Sequence, residues 1–253
     1  IENAPINREG SCTLRSHISL VLVPMVLSVT ILTTASRAET DGSETAINPS
    51  FAREEPFVVR SFVKERGERL HGKAICYGPH RDGQRPGGQS PTREQIREDL
   101  RIISRHWQMI RLYGSSPLAN SILDILREEG FDMEVMLGIW IATEEKRDEQ
   151  GGLIEQFPQV KDANREQVEM GIHLAAAYPE IVTSLCVGNE TQVFWSAHRS
   201  PLEILVGYIH EVRARTEVPV TTADDYKYWN KPESRALAGE IDFINCYAHP
   251  LWN

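Results

Sequence analysis

Residues 109 to 130 read M-I-R-L-Y-G-S-S-P-L-A-N-S-I-L-D-I-L-R-E-E-G, and this stretch decides the fold class. Met109 to Tyr113 is a short apolar run that stops at Gly114, the pattern of a buried strand. Ser116 then offers a side-chain oxygen to the free amides of a helix start, and Pro117 presets the backbone of the first helical residue. Leu118, Ile122, Ile125 and Leu126 fall on one helical stripe, and Gly130 ends it. A strand that passes within a few residues into a helix with a single apolar stripe is one βα unit, whose next strand runs parallel to the first.

The same unit recurs on both sides. Lys73 to Gly78 is the first strand, and its helix opens at Ser90-Pro91 and carries Ile96, Leu100 and Ile103 on its buried stripe. Glu134 to Trp140 is the third strand. A charged loop follows it, then a helix opened by Asn164 with Gln167 three residues on, a capping-box spacing, and Pro179 beyond its end. Val182 to Gly188 is the fourth, leading to a helix with Ser200 as cap, Pro201 at its first position and Leu205, Ile209 and Val212 inside. Val218 to Thr222 and Ile241 to Tyr247 are the fifth and sixth, separated by a short helix after Pro232. The expectation is an α/β fold, a (β/α)8 TIM barrel of which about six of the eight βα units lie in residues 71–253, since about 180 residues at about 30 per unit fall about 60 short of a complete barrel. An open doubly wound sheet is the competing architecture. The turn after the first strand, Gly78-Pro79-His80-Arg81-Asp82-Gly83, lacks the G-x-G-x-x-G spacing such folds use to hold a pyrophosphate.

The chain has 253 residues, 41% of them hydrophobic, and a formal charge of −9 with no basic cluster, so a nucleic-acid partner would meet net repulsion. Its four cysteines, Cys12, Cys76, Cys186 and Cys246, are widely spaced, form no C-x-x-C pair and read as core thiols. Ile18 to Leu32 is an apolar run of about fifteen residues preceded by Arg15 and followed by Ser36-Arg37-Ala38, the layout of a signal peptide cleaved after Ala38. Residues 1–38 are therefore expected to be a signal peptide and 39–70 a polar leader, with the protein exported to the periplasm, the cell surface or the medium. Membrane anchoring by residues 18–32 is the alternative, disfavoured because the run is short for a bilayer span.

Active sites of barrels are built just past the C-terminal ends of several strands. Glu190 stands there, after Val187-Gly188-Asn189, where the glycine lets the strand bend and the asparagine amide can donate or accept beside the acid. Trp140, Trp195, Trp229 and Trp252 lie at or shortly after the ends of strands three to six, and Tyr77, Tyr113 and Tyr247 lie at strand ends too. Such rings stack on the C–H faces of sugars, so the rim suits an oligosaccharide. No H-x-H or H-E-x-x-H pair occurs, and Asp224 and Asp225, being adjacent, point apart, so neither metal nor cofactor is expected.

In combination, A-I-C-Y-G-P-H (Ala74 to His80), I-R-L-Y-G (Ile110 to Gly114), L-G-I-W (Leu137 to Trp140), V-G-N-E (Val187 to Glu190), P-V-T-T-A-D (Pro219 to Asp224) and D-F-I-N-C-Y-A-H-P (Asp242 to Pro250) resemble glycoside hydrolase family 17, bacterial β-1,3-glucanases above all. The resemblance implies a barrel that cleaves β-1,3-glucan with retention. It makes Glu190 the general acid/base and Asn189 the ligand of the sugar 2-hydroxyl, with Tyr77, Arg111 and Tyr113 on the cleft floor and Trp195, Tyr226, Tyr247 and Trp252 as further substrate contacts. It also puts a nucleophilic glutamate after strand seven, beyond Asn253, so the present residues alone are expected to be inactive. Leu251 departs from the aromatic that relatives often carry. A β-1,3-glucan transglycosylase and a catalytically dead glycan-binding barrel are the alternatives, and the expected partner is a β-glucan, with no stable protein partner implied.

Overall fold

The computed structural model describes residues 51–62 and 73–249. The expected signal peptide, most of the leader, Cys12, Leu251 and Trp252 lie outside these residues. The elements, in chain order, are β1 (Ala74–Cys76), α1 (Arg93–Ile103), β2 (Met109–Arg111), α2 (Pro117–Glu128), β3 (Glu134–Ile139), β4 (Glu145–Arg147), β5 (Leu153–Gln156), α3 (Pro158–Ala177), β6 (Val182–Asn189), α4 (Leu202–Arg215), β7 (Val220–Asp225), α5 (Tyr226–Trp229), α6 (Ser234–Ala238) and β8 (Asn245–Tyr247). Six strands form one sheet in the order β1-β2-β3-β6-β7-β8, every neighbouring pair parallel. That order never reverses. A doubly wound sheet needs a reversal to put helices on both faces; a sheet that adds each strand on the same side keeps its helices on one face and curls.

The curl is visible in contacts between strands that are not neighbours. Tyr247 of β8 presents its ring 5.3 Å from the Arg111 guanidinium of β2, and Asn245 Nδ2 of β8 lies 3.3 Å from Met136 Sδ of β3. β3, β6 and β7 separate β8 from β2 in the sheet, so these side chains meet only because the concave face folds over itself. The expected barrel architecture thus holds for the six units described.

The convex face carries the main core. Alternate strand residues (Ile110, Val135, Leu137, Ile139, Leu185, Val187, Val220) pack against Leu100, Ile122, Leu126, Leu174, Leu205 and Ile209 from the helices. Helix α2 starts as read, with Ser116 accepting from Ala119 N at 3.3 Å. The other three expected starts shift. Thr92, not Ser90, caps α1 through a capping box with Gln95. Helix α3 begins at Pro158, which places Asn164 inside it, where its amide serves Ala142 N and O at 2.9 Å each. Pro201, not Ser200, takes the cap position of α4. A hydroxyl fits a helix end only if the incoming chain aims it at the free amides, and the strand-to-helix path decides that. The charged loop after β3 contains the antiparallel β4–β5 hairpin, and the fifth strand runs on to Asp225 while the sixth shortens to three residues.

Residues 51–62, read as part of a polar leader, belong to the folded unit. Arg60 N donates to Asp242 Oδ1 at 2.7 Å, its guanidinium caps the carbonyls of Arg213, Thr216 and Val218, and Phe62 stacks on Phe243 with centroids 4.2 Å apart. Phe62 and Phe243 pack against the inner-face cluster Met109, Met136, Cys186 and Ala223, closing the N-terminal end of the sheet. The cysteines are not all core thiols. Cys186 is buried, but Cys76 and Cys246 are exposed, because β1 and β8 are the two edge strands of the described sheet and each lacks a neighbour there. Among the described residues no helix is long and apolar enough to cross a membrane.

Asp242 concentrates the stability of this end. It accepts from Arg60 N and from Val220 N, both at 2.7 Å, and pairs with the buried Arg213. Asp242→Ala would leave that guanidinium buried without its counter-charge, and is expected to cost about 3–5 kcal/mol, measured as a lowered midpoint in urea denaturation; Lys146→Ala, on the exposed hairpin, serves as the neutral control.

Candidate active site

The C-terminal ends of the strands bring the site together, and the turn after β6 is its centre. Gly188 has φ +79° and Glu190 φ +51°. The first conformation suits glycine; the second costs an L-residue of order 1–3 kcal/mol and persists only where surroundings hold it. Four ties do so here. Glu190 N donates to Ala223 O at 2.8 Å and Ser200 N to Thr191 O at 3.0 Å, while Gln192 N and Val193 N donate to the Asp224 carboxylate at 2.8 and 3.2 Å.

Asn189, buried beside Glu190, accepts at Oδ1 from Arg111 Nη2 at 3.0 Å and from Tyr247 Oη at 2.7 Å. Two donors on one oxygen fix which way the amide faces, so its NH2 group is the part left for a ligand. Arg111 is 6% exposed, lies against the rings of Tyr113 and Tyr247 at 4.9 and 5.3 Å, and retains Nε and Nη1 without a hydrogen-bond partner. Tyr113, on the same strand face, is partly open to solvent; burial pushes its hydroxyl up to about 12, with Cys76 adding to the shift and the Glu190 charge contributing least. Gly138 of β3 lies directly beneath this turn of chain: a Cβ there would sit 2.4 Å from Leu112 O and from the Tyr113 carbonyl carbon, so only glycine lets the β2 strand end settle over the sheet.

The two aspartates at the end of β7 point apart, as their adjacency requires. Asp224 turns to the β6 turn, fully buried. Asp225 turns to the cleft, where a carboxylate oxygen of Asp225, one of Glu190 and a ring nitrogen of His249 lie within 4.8 Å of one another. Asp225 also accepts from Lys227 N at 2.8 Å as the cap of α5. This trio comes from three different strand ends and has no linear signature, so the sequence alone does not bring Asp225 and His249 to Glu190.

The aromatic residues divide. The Tyr77 ring lines a cavity of about 720 Å3 together with His80, Tyr113, Trp140 and Gln167, but its hydroxyl is committed to Asp99 at 2.9 Å. Trp140 meets His198 edge-on at 4.6 Å. Trp195 is exposed beside Phe194, with the Lys227 ammonium 5.0 Å from its ring. Tyr226 is half-buried, and Lys227 also lies over its ring, at 5.8 Å. Trp229 is drawn into packing, its indole N–H donating to Asn245 O at 3.2 Å. The structure therefore gathers Arg111, Tyr113, Asn189, Glu190 and Tyr247 at one point, with Trp195 on the rim.

A curled parallel sheet whose strand ends gather a bent Asn-Glu turn, a buried arginine and several aromatics is a partial (β/α)8 barrel with a cleft at its C-terminal face. The chain belongs to the BtgE/BtgC glycoside hydrolase domain family, whose model matches residues 74–253, in agreement with the resemblance to glycoside hydrolase family 17. No curated protein sequence matches the chain. Among solved structures it is similar to an endo-laminarinase from Formosa Hel1_33_131, with TM-score 0.57 and 22% identity over 71% of this chain and 50% of that one. It is also similar to the glycoside hydrolase family 17 β-1,3-glucanosyltransferase of Rhizomucor miehei, with TM-score 0.50 and 23% identity over 71% and 57%. The chain thus spans about half the length of these structures.

Burial raises the Asp224 carboxyl to about 6, its three backbone donors pull it back, and the Glu190 charge adds to the rise. The folded protein therefore binds this proton more tightly than the unfolded chain, so the stability it contributes is complete below about pH 3.8 and is lost as pH rises through about 6. Urea denaturation at several pH values between 4 and 7 should show this fall in the native protein, and Asp224→Asn should remove that component of it.

Proposed function

We propose that this glycoside hydrolase domain acts on β-1,3-glucan with retention of configuration, Glu190 serving as general acid/base. The observation that carries the reading is the Asn189–Glu190 pair at the end of β6, with the Asn189 carbonyl held from both sides so that its NH2 faces the cleft. In the first step Glu190 gives its proton to the departing glycosidic oxygen while a second carboxylate bonds to the anomeric carbon. In the second, Glu190 takes a proton from water as that water displaces the carboxylate. Asn189 donates to the sugar 2-hydroxyl, a contact that strengthens as positive charge develops on the ring.

The attacking carboxylate comes, in this proposal, from residues outside those described. Asp224 is excluded by its burial and by the three backbone donors that occupy it. Arg111, buried with two unpartnered N–H groups at the floor of the cleft, supports one further acceptor there. Transglycosylation is the second reading, favoured by Phe194 and Trp195: exposed just past Glu190, they offer a stacking platform for an acceptor sugar that would take the place of water.

In the protein expressed from its complete gene, Glu190→Gln should slow hydrolysis of laminarin about 10²–10⁴-fold, the usual worth of general acid/base help. The glycosylation step on an activated aryl glucoside, whose leaving group needs little protonation, should suffer far less. Equal small losses on both would remove Glu190 from the role, and wild-type protein that binds laminarin oligosaccharide without reducing-sugar release would favour a glycan-binding barrel. We also propose export on the strength of the residue 1–38 pattern: the product from the native start should be recovered outside the cytoplasm beginning at Glu39, as read by N-terminal sequencing.

A further inference from the structure

Asp224 is a fully buried carboxylate for which the proposed chemistry has no use. Among the described residues no cation is bonded to it; its partners there are three backbone amides, Gln192 N at 2.8 Å, Val193 N at 3.2 Å and Asp225 N at 2.8 Å. Burying a carboxylate is costly unless its oxygens are well satisfied, and a hydroxyl or amide of the same size would meet less of that cost. What the ionised group uniquely offers is acceptor capacity on both oxygens at once, and both are taken. Two of the three donors belong to the turn that carries Glu190. β6 stops at Asn189, so beyond it the sheet supplies one amide–carbonyl bond, from Glu190 N to Ala223 O. The next donors of that turn, at 192 and 193, are met by a side chain from the neighbouring strand.

From this geometry we propose that Asp224 is a positioning residue: it fastens the Glu190–Val193 turn to β7, holds Glu190 in its left-handed backbone conformation, and so sets the line along which the acid reaches the glycosidic oxygen. The proposal rests on the reading of Glu190 as the acid/base. Asp224 and Asp225 then divide the end of β7 between them, one facing away from the cleft to fix the turn and the other facing Glu190 across it. Among the described residues, the ionisable groups that face Asp224 are Glu190 at the end of β6, its neighbour Asp225, Tyr228 of α5 and Cys246 of β8, none of them cationic. The anchor therefore works through oriented amides and not through a counter-ion.

Asp224→Asn keeps the shape but turns one acceptor oxygen into a donor set against a backbone N–H. Two measurements on the protein from its complete gene test the proposal. Amide exchange followed by NMR should show Gln192 and Val193 losing about tenfold or more of their protection in the variant, while Leu185 and Val187 in the strand keep theirs. Turnover of laminarin should fall about 10²-fold, the scale on which a small misplacement of a catalytic group acts, with KM near the native value. Unchanged protection at 192 and 193 would overturn the proposal, as would native kcat in a variant whose turn has loosened, or parallel changes in kcat and KM. If that variant does not fold, Asp224→Ser, which keeps a single acceptor oxygen in a smaller side chain, is measured in its place: the same two amides should lose their protection, and unchanged protection would overturn the anchor. The exchange readings do not depend on what the protein hydrolyses. Undiminished laminarin turnover by Glu190→Gln would instead overturn the reading of Glu190, leaving the anchoring of the turn to be judged by exchange alone.

Discussion

The hydrogen bonds that Arg111 and Tyr247 make to one oxygen of Asn189 tie together β2, β6 and β8, and the rest of the site depends on them. Nothing local brings these residues within reach. They meet because a parallel sheet that always adds its next strand on the same side must coil, and the coil carries the sixth strand of the sheet across the mouth of the second. Once they meet, chemistry follows from elementary constraints. A guanidinium has only donors, so the amide oxygen must turn to it. The amide NH2 is left facing the cleft, and the next residue in the chain is Glu190.

The two ends of the sheet use buried charge differently. At the N-terminal end Arg213 and Asp242 form a buried ion pair, sealed by Arg60 and by the Phe62–Phe243 stack. This is a stabilising arrangement, far from the strand ends that carry Glu190. Among the described residues at the C-terminal end, Arg111 is buried without a carboxylate bonded to it and Asp224 is buried without a cation. Each of these charges is costly taken alone. Both lie within the constellation around Glu190, where an unsatisfied donor can receive a ligand and a carboxylate can hold a turn. The division matches the general separation in barrels between a face that stabilises and a face that reacts.

Backbone strain is concentrated in the same place. Glu190 is the one non-glycine residue with positive φ among those described, two residues after Gly188, whose own Cβ position would be 3.0 Å from Leu205 and Thr191 side chains. A strand that ended in ordinary extended geometry would send residue 190 along the strand axis. The left-handed step swings it across the end of β7 instead, towards Asp225 and His249. The site's geometry is thus a property of one turn and of what fastens that turn.

Much of this was legible in the sequence. Apolar runs broken by glycine and followed by Ser-Pro or Pro gave six βα units, because strand and helix periodicities depend on nearest neighbours along the chain. That Asn189 and Glu190 stand at one strand end, and that Arg111 and Tyr113 share one face, was readable for the same reason, as positions at a strand end or two apart. The cap residues Thr92 and Pro201, the start of α3 at Pro158, the β4–β5 hairpin and the folded role of residues 51–62 were not. Each is chosen by where distant parts of the chain leave free amides, carbonyls or an open end of the sheet, and composition holds no record of that. The opposed tasks of Asp224 and Asp225 show the boundary most clearly. Adjacency on a strand dictates that the two side chains diverge, whereas only the packing of β6 and α5 against β7 decides that one meets backbone amides in a buried pocket and the other meets Glu190 across the cleft.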